Sequence, residues 1–313
     1  MITILAGGTG SVKLVRGLYS EFNEDIAVIS NVADNFWFHG LYVCPDIDTI
    51  IYGLSNNLDK KKGWGIKGDS FNFLNHMKDI GEDSWFGLGD RDLTTHIIRT
   101  KLLKEGKNLS EITEFFAKKY NIHAKVIPAS NAHYETHIIA KDKKEMHLQE
   151  FWIKYKGGIP ISDIVYHNME NAQITESAKK TLQNSNLIIF APGNPITSIG
   201  PIINIESFDK VIKPLRDKVV VISPFISNKA ISGPSEMYMK AKGVEPSTQG
   251  LVNLYSEYTN EMVFSDKDKK GIGGQQMMRN HQNIKFHFTN IMMDTPLKEK
   301  NLAKYVVSNF YKR

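Results

Sequence analysis

The opening eighteen residues, MITILAGGTGSVKLVRGL, constrain this chain more than any other stretch. Ile2–Leu5 is a short apolar run, and Ala6–Gly10 are small residues plus Thr9. From Ser11 onward Leu14, Val15, Leu18 and Phe22 recur on one helical face. The pattern is strand, tight glycine turn, helix, at the start of an α/β sheet. Such a turn aims backbone N–H groups and the positive end of a helix at one point, which favours an anion, most often a phosphate. The plain alternative is a tight turn with no ligand.

Two familiar motifs do not fit this loop. The dinucleotide fingerprint G-x-G-x-x-G finds its first two glycines in Gly8 and Gly10, but Lys13 stands at the third. The acid expected at the end of the second strand is missing too, since Ile26–Ser30 runs into Asn31. The Walker pattern is absent. Gly7, Gly8, Thr9 and Gly10 are therefore read as a phosphate cradle, with Lys13 as a counter-charge, and a nicotinamide dehydrogenase is disfavoured.

With 313 residues, 41% hydrophobic and 23% charged, the chain suits one large domain, or a core domain with an insertion. The 39 basic residues are offset by 34 acidic ones and scattered, with KKK at Lys60–Lys62 the densest run. That describes a solvated surface, not a nucleic-acid groove, and it accommodates a small anionic substrate. One cysteine, Cys44, allows no intrachain disulfide. The N-terminal apolar run is too short for a signal peptide and no run approaches a membrane span, so a cytoplasmic protein is expected.

After the second strand comes NVADNFWFHG, a polar and aromatic loop offering Asp34, Asn35, Trp37 and His39 as contacts. In CPDIDTIIYGL, Asp46 and Asp48 stand two apart before a helix expected from about Thr49 to Leu58. One acid there would serve as a cap. Two beside a phosphate loop also suit a hard cation such as Mg2+. In WFGLGDRDLTTHIIRTKLL, Asp90, Arg91 and Asp92 open another helix. Arg91 is either part of a surface ion pair or a fork for a phosphate or carbonyl group, and His96 reads as an ordinary helix-face residue. Ser110 is expected to cap the helix Glu111–Tyr120.

The texture then changes. HAKVIPAS, HYETHIIA and KEMHLQEFWI read as three strands of antiparallel character. Roughly 59–168 is taken as an inserted α+β subdomain. His133, His137 and His147 lie on these strands, and polar strand faces explain them better than a metal site. The α/β pattern then resumes. Leu187–Phe190 leads into APGNPITSIGP, with Asn194, Thr197 and Ser198, and Val219–Ile222 leads into SPFISNKAISGPS, with Asn228 and Gly233. Several polar, glycine-bearing loops at strand ends point to one ligand crevice.

The set GGTGSVKL, CPDIDT, LGDRDLTTHIIR, APGNPITSIGPII and SPFISNKAISGPS resembles the 2-phospho-L-lactate transferase family across essentially the whole chain. The resemblance implies a Rossmann-like, mostly parallel sheet, a homodimer and a Mg2+ requirement. It implies transfer of a phospholactyl group, or one from a related acid such as enolpyruvate, from a guanosine diphosphate ester to the ribityl hydroxyl of 8-hydroxy-5-deazariboflavin. GMP leaves, and the product belongs to coenzyme F-420 biosynthesis. On that reading Gly7, Gly8, Thr9, Gly10 and Lys13 hold donor phosphates, and Asn194, Thr197 and Ser198 hold the rest of the nucleotide. Asp46 or Asp48 holds the metal, and one of the two orients the acceptor hydroxyl as a base. Arg91 binds the acceptor and Trp37 stacks on it. Ser11-Val12 departs from the Thr-Pro expected in relatives and leaves the phosphate reading intact. The rival is a nucleotide-sugar-binding regulator of a sister family, which ADNFWFHG disfavours. Asp48→Asn is expected to spare the fold, because a solvated helix cap contributes only about 1 kcal/mol.

Overall fold

The computed structural model describes residues 1–227, 229–231, 233–269, 281 and 283–311. The chain runs through β1 (Ile2–Ala6), α1 (Gly8–Phe22), β2 (Ile26–Ser30), a hairpin of β3 (Phe36–Phe38) and β4 (Leu41–Val43), and α2 (Pro45–Leu54). It continues through α3 (Asn72–Asp79), α4 (Asp90–Lys104), α5 (Leu109–Lys119), β5 (Lys125–Pro128), β6 (Glu135–Ala140), β7 (Glu145–His147) and β8 (Ile161–His167). Then come α6 (Glu176–Gln183), β9 (Leu187–Phe190), α7 (Gly200–Ile203), α8 (Glu206–Ile212), β10 (Val219–Ile222) and the two-residue strands β11 (Phe225–Ile226) and β12 (Lys229–Ala230). Helices α9 (Ser235–Ala241) and α10 (Thr248–Tyr255), strands β13 (Glu261–Ser265) and β14 (Lys285–Thr289), and a C-terminal helix, Pro296–Phe310, complete the described chain.

Every residue of β1, β2, β9 and β10 is buried. Strands covered on both faces belong inside a parallel sheet. These four form the centre of a seven-stranded sheet in the order β14-β13-β10-β9-β1-β2-β5. All its pairs are parallel, with Ile4 opposite both Val28 and Ile189. The strand order reverses between β1 and β9, and ligands bind in the crevice outside such a switch point. On one flank α1 packs on the C-terminal helix, where a Cβ on Gly17 would lie 2.4 Å from the Glu299 carbonyl oxygen. The Arg16–Glu299 ion pair closes that contact.

Several sequence expectations shift in informative ways. Helix α2 begins at Pro45, not Thr49, because proline suits the first helical position. Asp46 and Asp48 are therefore inside the first turn. The cap of α5 is Asn108, which forms a reciprocal capping box with Glu111, and Ser110 lies inside the helix. Strand β5 (KVIP) pairs parallel with β2 at the edge of the central sheet. Antiparallel pairing within 59–168 is confined to β6 with β7 and β8. After β7 the chain leaves the sheet, and Glu150–Lys154 forms a π-helical turn where a strand was expected. No helix among the described residues is long and apolar enough to cross a membrane.

Candidate active site

The loops after β1 and β9 meet at the switch point. Gly7, which caps α1, approaches so closely that a Cβ there would lie 2.9 Å from Asp46 Oδ2 and 3.0 Å from the Ser198 Cβ. A Cβ on Gly193 would lie 2.9 Å from the Gly7 carbonyl oxygen. Gly8 has φ +71°, the left-handed region that glycine adopts without cost. The first turn of α1 therefore opens into a cleft of about 320 Å3, lined by Gly7, Gly8, Thr9, Gly10, Asp46, Asp48, Asn194, Thr197 and Ser198 among others. These nine sequence-predicted residues meet there, with Asp34 and Gly233 beside them, although they come from separate parts of the chain.

Their roles divide. Asn194 shapes its own loop: Oδ1 accepts from the N–H groups of Ile196 (2.9 Å) and Thr197 (3.1 Å), and Nδ2 donates to Ser235 Oγ (3.0 Å). Ser235, at the start of α9, brings the loop after β10 to the same wall, with Gly233. Asn228 lies outside the described residues.

Asp46 and Asp48 sit two apart yet belong to different groups. Asp48 pairs with the guanidinium of Arg99, which is 1% exposed. Its Oδ2 is buried without a hydrogen-bond partner and lies 3.7 Å from His96 Nδ1. Asp92, His96 and Arg99 fall at i, i+4 and i+7 on α4, so one face of that helix presents all three to α2. Asp92 accepts from Tyr52 Oη at 2.7 Å and lies 3.3 Å from His96 Nε2. Burial raises the Asp48 carboxyl, opposed by the charges of Arg99 and His96. Asp92 is held below its ordinary range: His96 and Tyr52 outweigh the upward effect of burial.

Asp46 faces the glycine loop. Its Oδ1 accepts from the Gly8 N–H at 2.7 Å, and its Oδ2 accepts from Asn31 Nδ2 at 2.9 Å. The same Asn31 amide donates to Asp34 at 3.1 Å, and Gln149 donates to the other Asp34 oxygen at 3.3 Å. Two buried carboxylates thus share one amide, and among the described residues no cation forms an ion pair with either. Burial raises Asp46 from an ordinary 3.8 to about 6. Asp34 is pushed well above the usual carboxylate range by burial and by Asp46. Desolvated oxygens without a counter-charge, next to a phosphate-type loop, fit a hard divalent cation. The group around Asp48 fits one less well, because Arg99 already neutralises it.

These shifts have a sign. A carboxyl raised on folding stabilises the fold while protonated, so the Asp46 contribution is present below pH 3.8 and lost as pH rises through about 6. The metal-free chain is expected to lose melting temperature across that window, and Asp46→Asn to flatten the loss. Mg2+ should raise the melting temperature at pH 7.5 and not at pH 5 in thermal scans. An equal rise at both pH values would count against Mg2+ binding at this pair.

Five expected contacts are not among the residues that line the cleft: Lys13, Trp37 and Arg91, together with Asn35, which is buried, and His39, whose Nε2 lies 2.6 Å from the Asp83 carbonyl oxygen. The charge of Lys13 adds to the hydrogen bond and charge of Lys298 in lowering the exposed Asp294 carboxyl. Trp37 is 51% exposed and packs on Tyr42, with ring centroids 5.0 Å apart. Arg91 is exposed and donates to the Lys67 carbonyl at 3.3 Å. Its neighbour Asp90 is structural, accepting from Ser70 Oγ and from the N–H groups of Asn72 and Phe73. Residues that the sequence reading passed over, Asp92, His96, Tyr52 and Gln149, line the cleft instead, and Trp64 and Trp152 stand there partly exposed. The D-x-x-x-H-x-x-R spacing on α4 was the available signal for two of them.

Residues 2–300 match the family model described as 2-phospho-L-lactate transferase CofD. The chain belongs to this family of transferases. It is 38% identical over 274 residues to the 2-phospho-L-lactate transferase of Methanocaldococcus jannaschii, covering 86% of this chain and 88% of that one. It is 35% identical over 308 residues to that of Methanococcoides burtonii, covering 98% of each. A phosphoenolpyruvate transferase of Mycolicibacterium smegmatis is 30% identical over 270 residues, covering 81% of this chain and 83% of its own. Among solved structures, a UPF0052 family protein from Bacillus halodurans superposes with a TM-score of 0.62 over 98% of both chains, at 14% identity, which shows the α/β fold alone. Membership of the 2-phospho-L-lactate transferase family is consistent with a place in F-420 biosynthesis.

Proposed function

We propose that the cleft transfers a 2-phospholactyl group, or its phosphoenolpyruvyl counterpart, from a guanosine diphosphate ester to the ribityl hydroxyl of 8-hydroxy-5-deazariboflavin. One observation carries this reading: the loops after β1 and β9 and the acids of α2 and α4 all line one cleft. The donor diphosphate lies against Gly8–Gly10 and the start of α1, with Thr197 and Ser198 on its other side. The flat acceptor enters between Trp64 and Trp152, which takes the stacking role first given to Trp37. Its hydroxyl reaches Asp48 Oδ2, the orphaned buried oxygen. The hydroxyl oxygen bonds to the phosphorus of the phospholactyl group, and the bond from that phosphorus to the bridging oxygen breaks. GMP leaves with that oxygen, and the hydroxyl proton passes to Asp48. Arg99 keeps Asp48 ionised and oriented for this.

Asp34 and Asp46 would hold the Mg2+ that the resemblance implies, and its chemistry there is neutralisation of donor phosphate charge. A homodimer belongs to the same reading.

The test is incubation of the purified chain with deazaflavin, Mg2+ and a mixture of guanylated lactate and enolpyruvate donors, followed by mass spectrometry. The expected products are GMP and one phosphodiester of the deazaflavin, whose mass identifies the acid. If neither product forms, the transferase reading of this cleft fails; nucleotide-sugar binding without turnover would point to the regulator.

A further inference from the structure

The β6–β7–β8 sheet carries a second cluster of ligating side chains, away from the cleft and unused by the proposed reaction. Register places Glu135 opposite His167, His137 opposite both His147 and Val165, and Ile139 opposite Glu145. Paired residues share a face, so these side chains stand on one side of the sheet. The alternate positions Thr136, Ile138 and Ala140 are buried, which makes the histidine face the outer one.

The geometry on that face is convergent. His137 Nε2 lies 2.9 Å from Glu135 Oε2 and hydrogen-bonds to it. Its Nδ1 is buried, lies 2.9 Å from Glu145 Oε1, and makes no hydrogen bond. His167 Nε2 contacts the same Glu145 oxygen. One ligating atom from each of His137, Glu145 and His167 lies within 4.8 Å of the other two. A carboxylate behind a histidine fixes its tautomer: with the proton on Nε2 facing Glu135, the Nδ1 lone pair of His137 points at the carboxylate oxygen of Glu145. Two lone pairs facing at 2.9 Å repel unless a metal ion or a second ring proton lies between them. A second histidine, His133, holds the other Glu135 oxygen at 3.0 Å and braces the arrangement. The side chains of Glu145 and His167 are 41% and 44% exposed, which leaves an entry path and room for water.

We infer that His137, Glu145 and His167 form a site for a borderline divalent transition metal, Zn2+ in the first instance. Two imidazole nitrogens and one carboxylate are the donor set that selects such ions over Mg2+. The three ligands come from three strands, so the ion ties β7 to β8 across β6. Strand β7 leads directly into Leu148 and Gln149 on the cleft wall, so the tie bears on the edge of the candidate active site. A protonated imidazolium at His137 is the competing explanation for the short approach to Glu145, and it requires no metal.

The test is equilibrium dialysis of the chelator-stripped full chain against Zn2+ in a large excess of Mg2+, with metal analysis and thermal scans. Wild type should retain one Zn2+ per chain and gain melting temperature from it. Glu145→Gln and His167→Ala should each lose at least about tenfold in Zn2+ affinity and all of the thermal gain, while their metal-free melting temperatures match that of the metal-free wild type. Both substitutions lie at exposed positions, so the metal-free scans establish that the fold is intact. Zn2+ uptake by both variants equal to that of wild type would place the ion elsewhere, in the cleft, and overturn the proposal. Failure of wild type to retain Zn2+ would overturn it too, in favour of the imidazolium.

Discussion

Asp48→Asn is expected to lower turnover by about 10²–10⁴-fold per folded molecule, because it removes the carboxylate that we propose accepts the proton of the acceptor hydroxyl. The expectation from sequence was that the fold would be spared, on the premise that Asp48 is a solvated cap. That premise fails: Asp48 is 4% exposed and paired with a buried guanidinium. Asparagine keeps one acceptor for Arg99 but leaves its charge uncompensated, at a cost of about 3 kcal/mol. Activity must therefore be normalised to the folded fraction, measured by urea unfolding in the same buffer. Nucleotide binding, which on the proposed reading rests on the glycine loop, should change little. Turnover within threefold of wild type per folded molecule would remove Asp48 from the chemistry. Since burial raises the Asp48 carboxyl, the wild-type rate should fall on the acid side at a pH above the ordinary carboxylate range.

Arg99→Met is expected to cost about 3–5 kcal/mol of stability, the largest effect of any single substitution considered. Arg99 is among the largest fully buried side chains, and besides Asp48 it donates to the Tyr42 carbonyl at 3.3 Å and approaches His96 Nδ1 at 3.1 Å. Methionine fills similar space but leaves the Asp48 carboxylate buried without a cation. That carboxylate can escape by taking a proton, so the loss should shrink as pH falls from 8 to 5. The double variant Asp48→Asn, Arg99→Met should cost less than the two single losses added together, because the uncompensated charge is gone. Urea midpoints of the four proteins at the two pH values decide it. Simple additivity would mean that the ion pair has no coupling of its own.

The error over Asp48 shows where sequence reading stops. Pro45 and the two acids were visible as a helix start, but the register of that start, set by proline at the first position, decided that both acids lie inside the first turn. Being two apart there, they point in different directions. Asp46 meets the glycine loop and Asp34, and Asp48 meets α4. Arg91 and Trp37 were plausible by residue type, yet the same local geometry turns them outward. Arg91 follows Asp90, whose carboxylate is spent on the first turn of α3. Trp37 lies on a three-residue strand whose alternation buries Phe36 and Phe38 and exposes what lies between them.

The histidines of the small sheet make the same point from the other side. By spacing alone, His133, His137 and His147 suggested nothing beyond polar strand faces. The set that converges, His137, Glu145 and His167, is defined by cross-strand register, which a linear pattern does not carry.

What the sequence determined by itself was local and periodic: the strand–glycine–helix opening, the four central buried strands, the first of them one residue short at Ala6, and the polar loops at their ends. Hydrophobic period and turn chemistry act over a few residues and are written where they act. Only the tertiary structure decided which carboxylate faces which partner, and that the strand order reverses between β1 and β9 to bring those loops to one cleft. Those choices depend on side-chain direction and on contacts between residues far apart in the chain, where a single step along a helix or strand turns a side chain toward a different neighbour.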